Sequence, residues 1–253
     1  MLTVSFLSLG CQDVWGSTSH SELSIESREK LRKSEVDASR LVSLELSEHK
    51  RRFIQVLLPL IEEENQRILA VRDKLLLMKN KSSLAKYDRT LLARLSKEYR
   101  VRRDGLGELQ LVDEMLLHVD VLLADLVLAQ AAMESAWGES RFANEANNYF
   151  GQWCFKKGCG LVPKRREVGK KHEVRRFASP AESVRAYMKN INSHPAYSVL
   201  RALRHQRQME NMVASGEELA RGLKSYSKMG QGYVLAIRSI IKSNALNKLA
   251  MDI

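Results

Sequence analysis

The chain has 253 residues, 44% of them hydrophobic and 28% charged, with a net charge of +11. That is enough apolar content for a buried core in one large or two small domains, and Leu, Ala, Lys, Arg and Glu dominate, which favours helix over sheet. No run is long and apolar enough to span a bilayer, since Val121 to Ala132 is interrupted by Asp125 and Gln130, and the positive charge implies an anionic partner without choosing among nucleic acid, acidic membrane and carboxylate-bearing polymer.

Leu2 to Gly10 is mostly apolar and ends at Cys11. It reads as an atypical export or lipoprotein signal over residues 1–20, lacking a preceding Lys or Arg and carrying Ser8 where an aliphatic residue is expected. Ser21 to Ser47 is polar and charge-mixed, a solvated helix or linker. A stronger amphipathic helix is predicted through Phe53, Leu57, Leu60, Ile61, Ile68, Leu69 and Leu75, with Pro59 kinking it or starting a new one. After the break at Asn80 to Ser83, Leu84 to Tyr99 reads as a further helix, and another runs through Leu109, Leu111, Met115 and Leu116. Residues 21–115 are therefore expected to form a helical N-terminal region ahead of a domain at 116–253.

Asp125 is placed as the N-cap of a helix from Leu126 to Trp137, which Gly138 ends. Leu126, Gln130 and Glu134 recur every four residues, so one line on this helix carries Glu134 at its C-terminal end. The negative end of the helix dipole and packing among Ala, Met and Trp both disfavour an ionised carboxylate there. A raised pKa is what a general acid working near neutrality needs. Asn147-Asn148-Tyr149-Phe150-Gly151 then forms a turn back to the same neighbourhood.

Cys154 and Cys159 sit five apart around Gly158, which suits a short-loop disulfide in an oxidising compartment; two free thiols are the plainer alternative. Two Cys cannot complete a structural zinc site, and His172-Glu173-Val174-Arg175-Arg176 lacks the second His of a zinc-protease helix. No metal or cofactor is expected. Between Cys159 and Arg176 the chain is crowded with Lys and Arg, and Val168-Gly169-Lys170-Lys171 supplies a turn. A basic β-hairpin or irregular lobe over a cleft is predicted. Ser179-Pro180-Ala181-Glu182 reads as a cap, first helical residue and capping box. The final helices are expected at Glu217 to Leu223 and Tyr233 to Asn244.

Glu134-Ser135-Ala136-Trp137-Gly138 with Asn147-Asn148-Tyr149-Phe150-Gly151 resembles the signature of peptidoglycan-cleaving glucosaminidases related to the flagellar muramidase. Phe177 to Val184, Asn192 to Tyr197 and Leu223 to Ser227 continue the pattern, which is most similar to the bacterial Bax-type subgroup. Ala136 stands where that family usually has Gly. The resemblance implies a mainly helical, lysozyme-like α+β domain with a small β-lobe, acting on cell-wall glycan in the periplasm or cell envelope. It implies Glu134 as the acid, a second carboxylate in the lobe (Glu167 first, Glu173 second) and Tyr226 near the scissile bond. It also puts the Asn148-Tyr149-Phe150 motif at the cleft wall, although Asn148 is read first as fixing the turn; Trp137, Tyr149 and Trp153 offer ring faces for stacking, and core packing accounts equally well for any one of them. Paired Cys after Phe-Gly belong to the same pattern.

The expected partner is peptidoglycan glycan, with membrane attachment through Cys11 an added expectation and oligomeric state left open. Nucleic acid is not expected, because no helix-turn-helix, zinc-finger or aromatic RNA-binding signature accompanies the charge. A non-catalytic wall-binding protein and a lytic transglycosylase are the alternatives to an endo-β-N-acetylglucosaminidase.

Overall fold

Helices with apolar residues three and four apart form one core in this structure, a computed structural model that describes residues 46–164, 166–167 and 169–249. The proposed signal, Cys11 and the polar stretch up to residue 45 lie outside the described residues. Helix α1, Glu48–Lys79, starts at Ser47, whose hydroxyl accepts from the Lys50 amide. Its buried face carries Phe53, Ile54, Leu57, Leu58, Ile61, Ile68, Leu75 and Met78. Pro59 neither ends nor restarts this helix. Pro59 and Gln55 are both exposed, so the Gln55 carbonyl that loses its amide partner can turn to water. Among the described residues no helix is long and apolar enough to cross a membrane.

Helices α2 (Lys86–Glu98) and α3 (Glu108–His118) follow, and α3 packs on α1. Helix α4, Ala124–Ser135, is buried nearly all round, from Leu126 through Ala132, and is the central element of the core. Its alanines leave room for α1, for α9 (Gln231–Ser243) and for a 3-10 turn at Leu246–Leu249 to pack against it. Two expectations for this helix need correction. Leu123, not Asp125, is the N-cap; Asp125 sits in the first turn, almost fully buried, where its carboxylate accepts from the Leu126 amide. The helix also ends before Gly138: Ala136 (φ 50) and Trp137 (φ 58) already occupy the left-handed region.

Ala136 is exposed and adopts this conformation with a Cβ that is strained there, where Gly would have none of that strain. Ala136→Gly is therefore expected to stabilise the protein by up to about 1 kcal/mol, read as a higher denaturation midpoint at unchanged slope.

The segment between α3 and α4 is irregular yet buried, so its backbone groups need side-chain partners. Asn65 of α1 bonds both polar groups of Leu122, at 2.9 and 3.0 Å. Arg72 donates to the carbonyls of Leu116 and Val119, and Asn192 donates to that of Asp120. Arg204, buried, reaches the carbonyls of Leu117 and Val121 and lies 3.3 Å from the Asp120 carboxylate. The entry to α4 is thus fixed by side chains from α1, from α6 (Pro180–Ser193) and from α7 (Ser198–Met209).

Helix α5, Arg141–Ala146, leads into the lobe, a three-stranded antiparallel sheet of β1 (Trp153–Cys154), β2 (Gly160–Leu161) and β3 (Glu173–Arg175) in the order β1-β3-β2. The β-lobe is present, but the strands are shorter than a hairpin over the whole basic stretch would give. The described residues between β2 and β3 form an irregular connection, with Gly169 at φ +83. Cys154 and Cys159 form a disulfide. Ser179 caps α6 as expected, accepting from the Glu182 amide, while the Glu182 carboxylate accepts from Ala178. The short helix α8, Gly216–Leu219, continues as a 3-10 turn before α9. A mainly helical domain with a small β-lobe, as expected for a lysozyme-like architecture, is what the chain forms.

Candidate active site

A groove of about 1230 Å³ runs between the β-lobe and the helices, and Glu134 lies in it. Glu134 occupies the last turn of α4, half-buried, with Phe150, Gly151, Tyr197 and Tyr226 among the other lining residues. Gly151 has φ +63, and a Cβ there would stand 3.2 Å from Glu134 Oε2, so glycine keeps that oxygen unobstructed. The Glu134 Oε1 atom accepts a 2.9 Å hydrogen bond from the Tyr233 hydroxyl at the start of α9. Burial raises the Glu134 carboxyl above the ordinary carboxylate range, and the Tyr233 bond only partly offsets this. The result is an acid in the groove lining that holds its proton further towards neutrality.

The Tyr233 hydroxyl also accepts from Gln130 Nε2 at 2.9 Å, and the Gln130 carbonyl oxygen accepts from the Tyr187 hydroxyl. Tyr187, Gln130 and Tyr233 are almost fully buried. The Tyr226 ring stacks on Tyr233 with centroids 5.3 Å apart, and its hydroxyl donates to the Phe150 carbonyl at 2.8 Å. Tyr226 thus lies beside Glu134 and also ties the Asn147–Gly151 turn to the last helices.

The sequence-predicted residues divide by position. Glu134, Phe150, Glu167 and Tyr226 share the groove, and Glu167 is exposed there. Glu173 does not join them. It is buried in the lobe, where Oε1 accepts from the Gly158 amide at 3.0 Å and Oε2 from the Gly160 amide at 2.9 Å. These bonds hold its carboxyl below the usual carboxylate range. Glu173 therefore clamps the disulfide loop and does not line the groove. Cys154, Cys159 and Glu173 bring ligand-type atoms within 4.8 Å of one another, yet both sulfurs are in the disulfide.

Asn148 is buried and serves the turn: its amide donates to the Gln152 and Arg175 carbonyls, and its oxygen accepts from the Phe150 and Gln152 amides. Trp137 and Tyr149 both pack against Phe53 of α1, and the Lys50 ammonium lies 4.7 Å from the Trp137 ring. Neither ring lines the groove. Trp153 does: it is 56% exposed and stacks by one face on His172, 3.9 Å away, leaving the other face open. Phe155 lies nearby, 75% exposed. Arg166, Lys170, Lys171, Lys189 and Lys228 give the groove a largely cationic rim.

A replacement tests the role assigned to Glu173. Glu173→Gln sets an NH2 against a backbone N–H, so one of the Gly158 and Gly160 amides loses its acceptor. Amide exchange at those two glycines is expected to accelerate, with the midpoint of global unfolding nearly unchanged.

The family model described as mannosyl-glycoprotein endo-beta-N-acetylglucosaminidase matches residues 112–246. The chain belongs to this glucosaminidase family. Glu134 and its hydrogen-bonded partners Gln130, Tyr187 and Tyr233 fall inside the matched region, while Glu98 and Arg100 of the groove lie before it. Among curated proteins, "Protein bax" of Escherichia coli K12 is 33% identical over 184 residues, covering 73% of this chain and 65% of the relative. The chain therefore spans less than two thirds of that relative's length. Among solved structures, the catalytic domain of the autolysin Auto from Listeria monocytogenes is 19% identical with a TM-score of 0.38, covering 68% of this chain and 92% of that one.

Tyr233, Gln130 and Tyr187 escaped the sequence reading as site residues. Gln130 was on the same helical line as Glu134, a signal of shared direction. Tyr233 lies 99 residues beyond Glu134, and no local pattern links the two.

Proposed function

We propose that this glucosaminidase hydrolyses β-1,4 glycosidic bonds of peptidoglycan outside the cytoplasm, as an endo-β-N-acetylglucosaminidase with Glu134 as the general acid. The observation that carries this reading is a half-buried carboxyl, raised in pKa, lining a groove of about 1230 Å³. Cleavage needs a proton on the leaving oxygen and stabilisation of an oxocarbenium-like centre. Glu134 supplies the proton. Glu167, in the same groove, activates or orients water unless the acetamido group of the sugar acts as the internal nucleophile. Tyr226 sits beside the reacting bond, and the open face of Trp153 packs on a sugar ring. The cationic rim suits a wall polymer whose peptides bear carboxylates. The disulfide fits an oxidising, extracytoplasmic setting.

Digestion of purified sacculi followed by mass spectrometry of the released muropeptides tests the reading. Reducing N-acetylglucosamine ends are expected. Anhydromuramyl ends would instead mark a lytic transglycosylase, and the absence of soluble products would mark a wall-binding protein.

A further inference from the structure

We infer that Tyr233 is a positioning residue for the Glu134 acid, held in one hydrogen-bond direction by Gln130 so that the transferable proton resides on Glu134 Oε2. The inference rests on Glu134 being the acid, and it adds which oxygen donates and what fixes it.

The direction follows from the orientation of the Gln130 amide in the structure. The Gln130 amide has one oxygen and one NH2, and its oxygen is taken by the Tyr187 hydroxyl. Its NH2 therefore points at the Tyr233 oxygen, 2.9 Å away. That occupies an acceptor site on Tyr233 and leaves its single proton for Glu134 Oε1, also at 2.9 Å. An oxygen that accepts from Tyr233 is the carbonyl-type oxygen of a neutral carboxylic acid, so the acid proton sits on Oε2. That is the oxygen beside Gly151, where glycine leaves the approach clear. As Glu134 gives up its proton, negative charge spreads onto Oε1, and the Tyr233 bond becomes a charge-assisted one. No proton moves along the chain; the three buried groups orient and stabilise.

The titratable groups facing Glu134 are Tyr187 from α6, Tyr197 from the turn after it, Tyr226 from the loop before α9, and Tyr233 from α9. All four hydroxyls are raised by burial and are neutral at working pH. Removing the Tyr233 hydroxyl takes away the one bond that favours the Glu134 carboxylate, so the carboxyl pKa moves further up.

Tyr233→Phe keeps the ring stacked on Tyr226 and tests this. Turnover is expected to fall about tenfold with KM little changed, because the lost bond matters most in the transition state. The alkaline limb of the kcat–pH profile is expected to move to higher pH. Gln130→Met, which frees the direction of Tyr233 without touching Glu134, is expected to move the limb the same way by less. The Glu134 carboxyl 13C resonance, assigned by its loss in Glu134→Gln, reports the same titration in both variants independently of activity. A fall in turnover with an unmoved limb and an unmoved carboxyl titration would mean that Tyr233 is merely structural and would overturn the inference. Undiminished turnover in Glu134→Gln would instead overturn the proposed function, while the carboxyl titration would still decide whether Tyr233 sets the pKa of Glu134.

Discussion

Glu134→Gln is expected to slow the solubilisation of sacculi by about 10²–10⁴-fold, the usual contribution of a general acid, and at the same time to raise the melting temperature at neutral pH. The amide keeps an acceptor for the Tyr233 hydroxyl, so the site retains its shape while losing the transferable proton. The stability gain follows from the sign of the shift. Glu134 has a folded pKa above its unfolded one, so the unfolded chain ionises first and wild-type stability falls as pH rises through that window. Glutamine carries no such penalty. The gain should be full above the raised folded value and should vanish below the ordinary carboxylate range. Thermal melts of both proteins across that range check it; a variant less stable than wild type at neutral pH would show that the carboxyl is not held against its own ionisation.

Arg204→Ala is expected to be the most damaging change away from the groove. Arg204 is buried, and burial lowers its pKa to about 10 although Asp120 opposes this. Truncation leaves the Asp120 carboxylate with Arg72 at 3.6 Å and the Gln208 amide at 2.7 Å, and strips the Leu117 and Val121 carbonyls of their donor. Breaking one side of a buried ion pair costs about 3–5 kcal/mol. For a domain of this size that lowers the melting temperature by roughly 10 °C. The double change Arg204→Met with Asp120→Leu should recover only part of the loss, because the two carbonyls still lack partners. Full recovery would mean that the ion pair alone, and not the backbone clamp, is what Arg204 contributes.

Local pattern made much of this legible. The apolar spacing of α1, α2 and α3, the Ser179 cap and the disulfide loop are all encoded within a few residues of themselves. Glu134 was legible too, since its place at the end of an apolar helix predicts burial. What stayed illegible depended on partners outside the local window. For Trp137 and Tyr149 the sequence left stacking and core packing open, and the contact both rings make is with Phe53 of α1, more than eighty residues earlier. Asp125 looked like a cap because its type suits one; the Gly216 backbone, 91 residues on, helps draw it into the core instead. Glu173, the second choice after Glu167 for a lobe carboxylate, bonds with both oxygens to the Gly158 and Gly160 amides, brought round by the sheet register. The buried arginine clamp before α4 had no sequence signal at all, because charged residues are ordinarily assigned to the surface.

The most direct test is the titration of the Glu134 carboxyl in the wild-type protein, followed by 13C NMR and assigned against Glu134→Gln. A midpoint clearly above those of the exposed glutamates, coincident with the alkaline limb of turnover, is the expected result. A midpoint within the range of the exposed glutamates would show a carboxyl already ionised at neutrality, with no proton to give to a glycosidic oxygen.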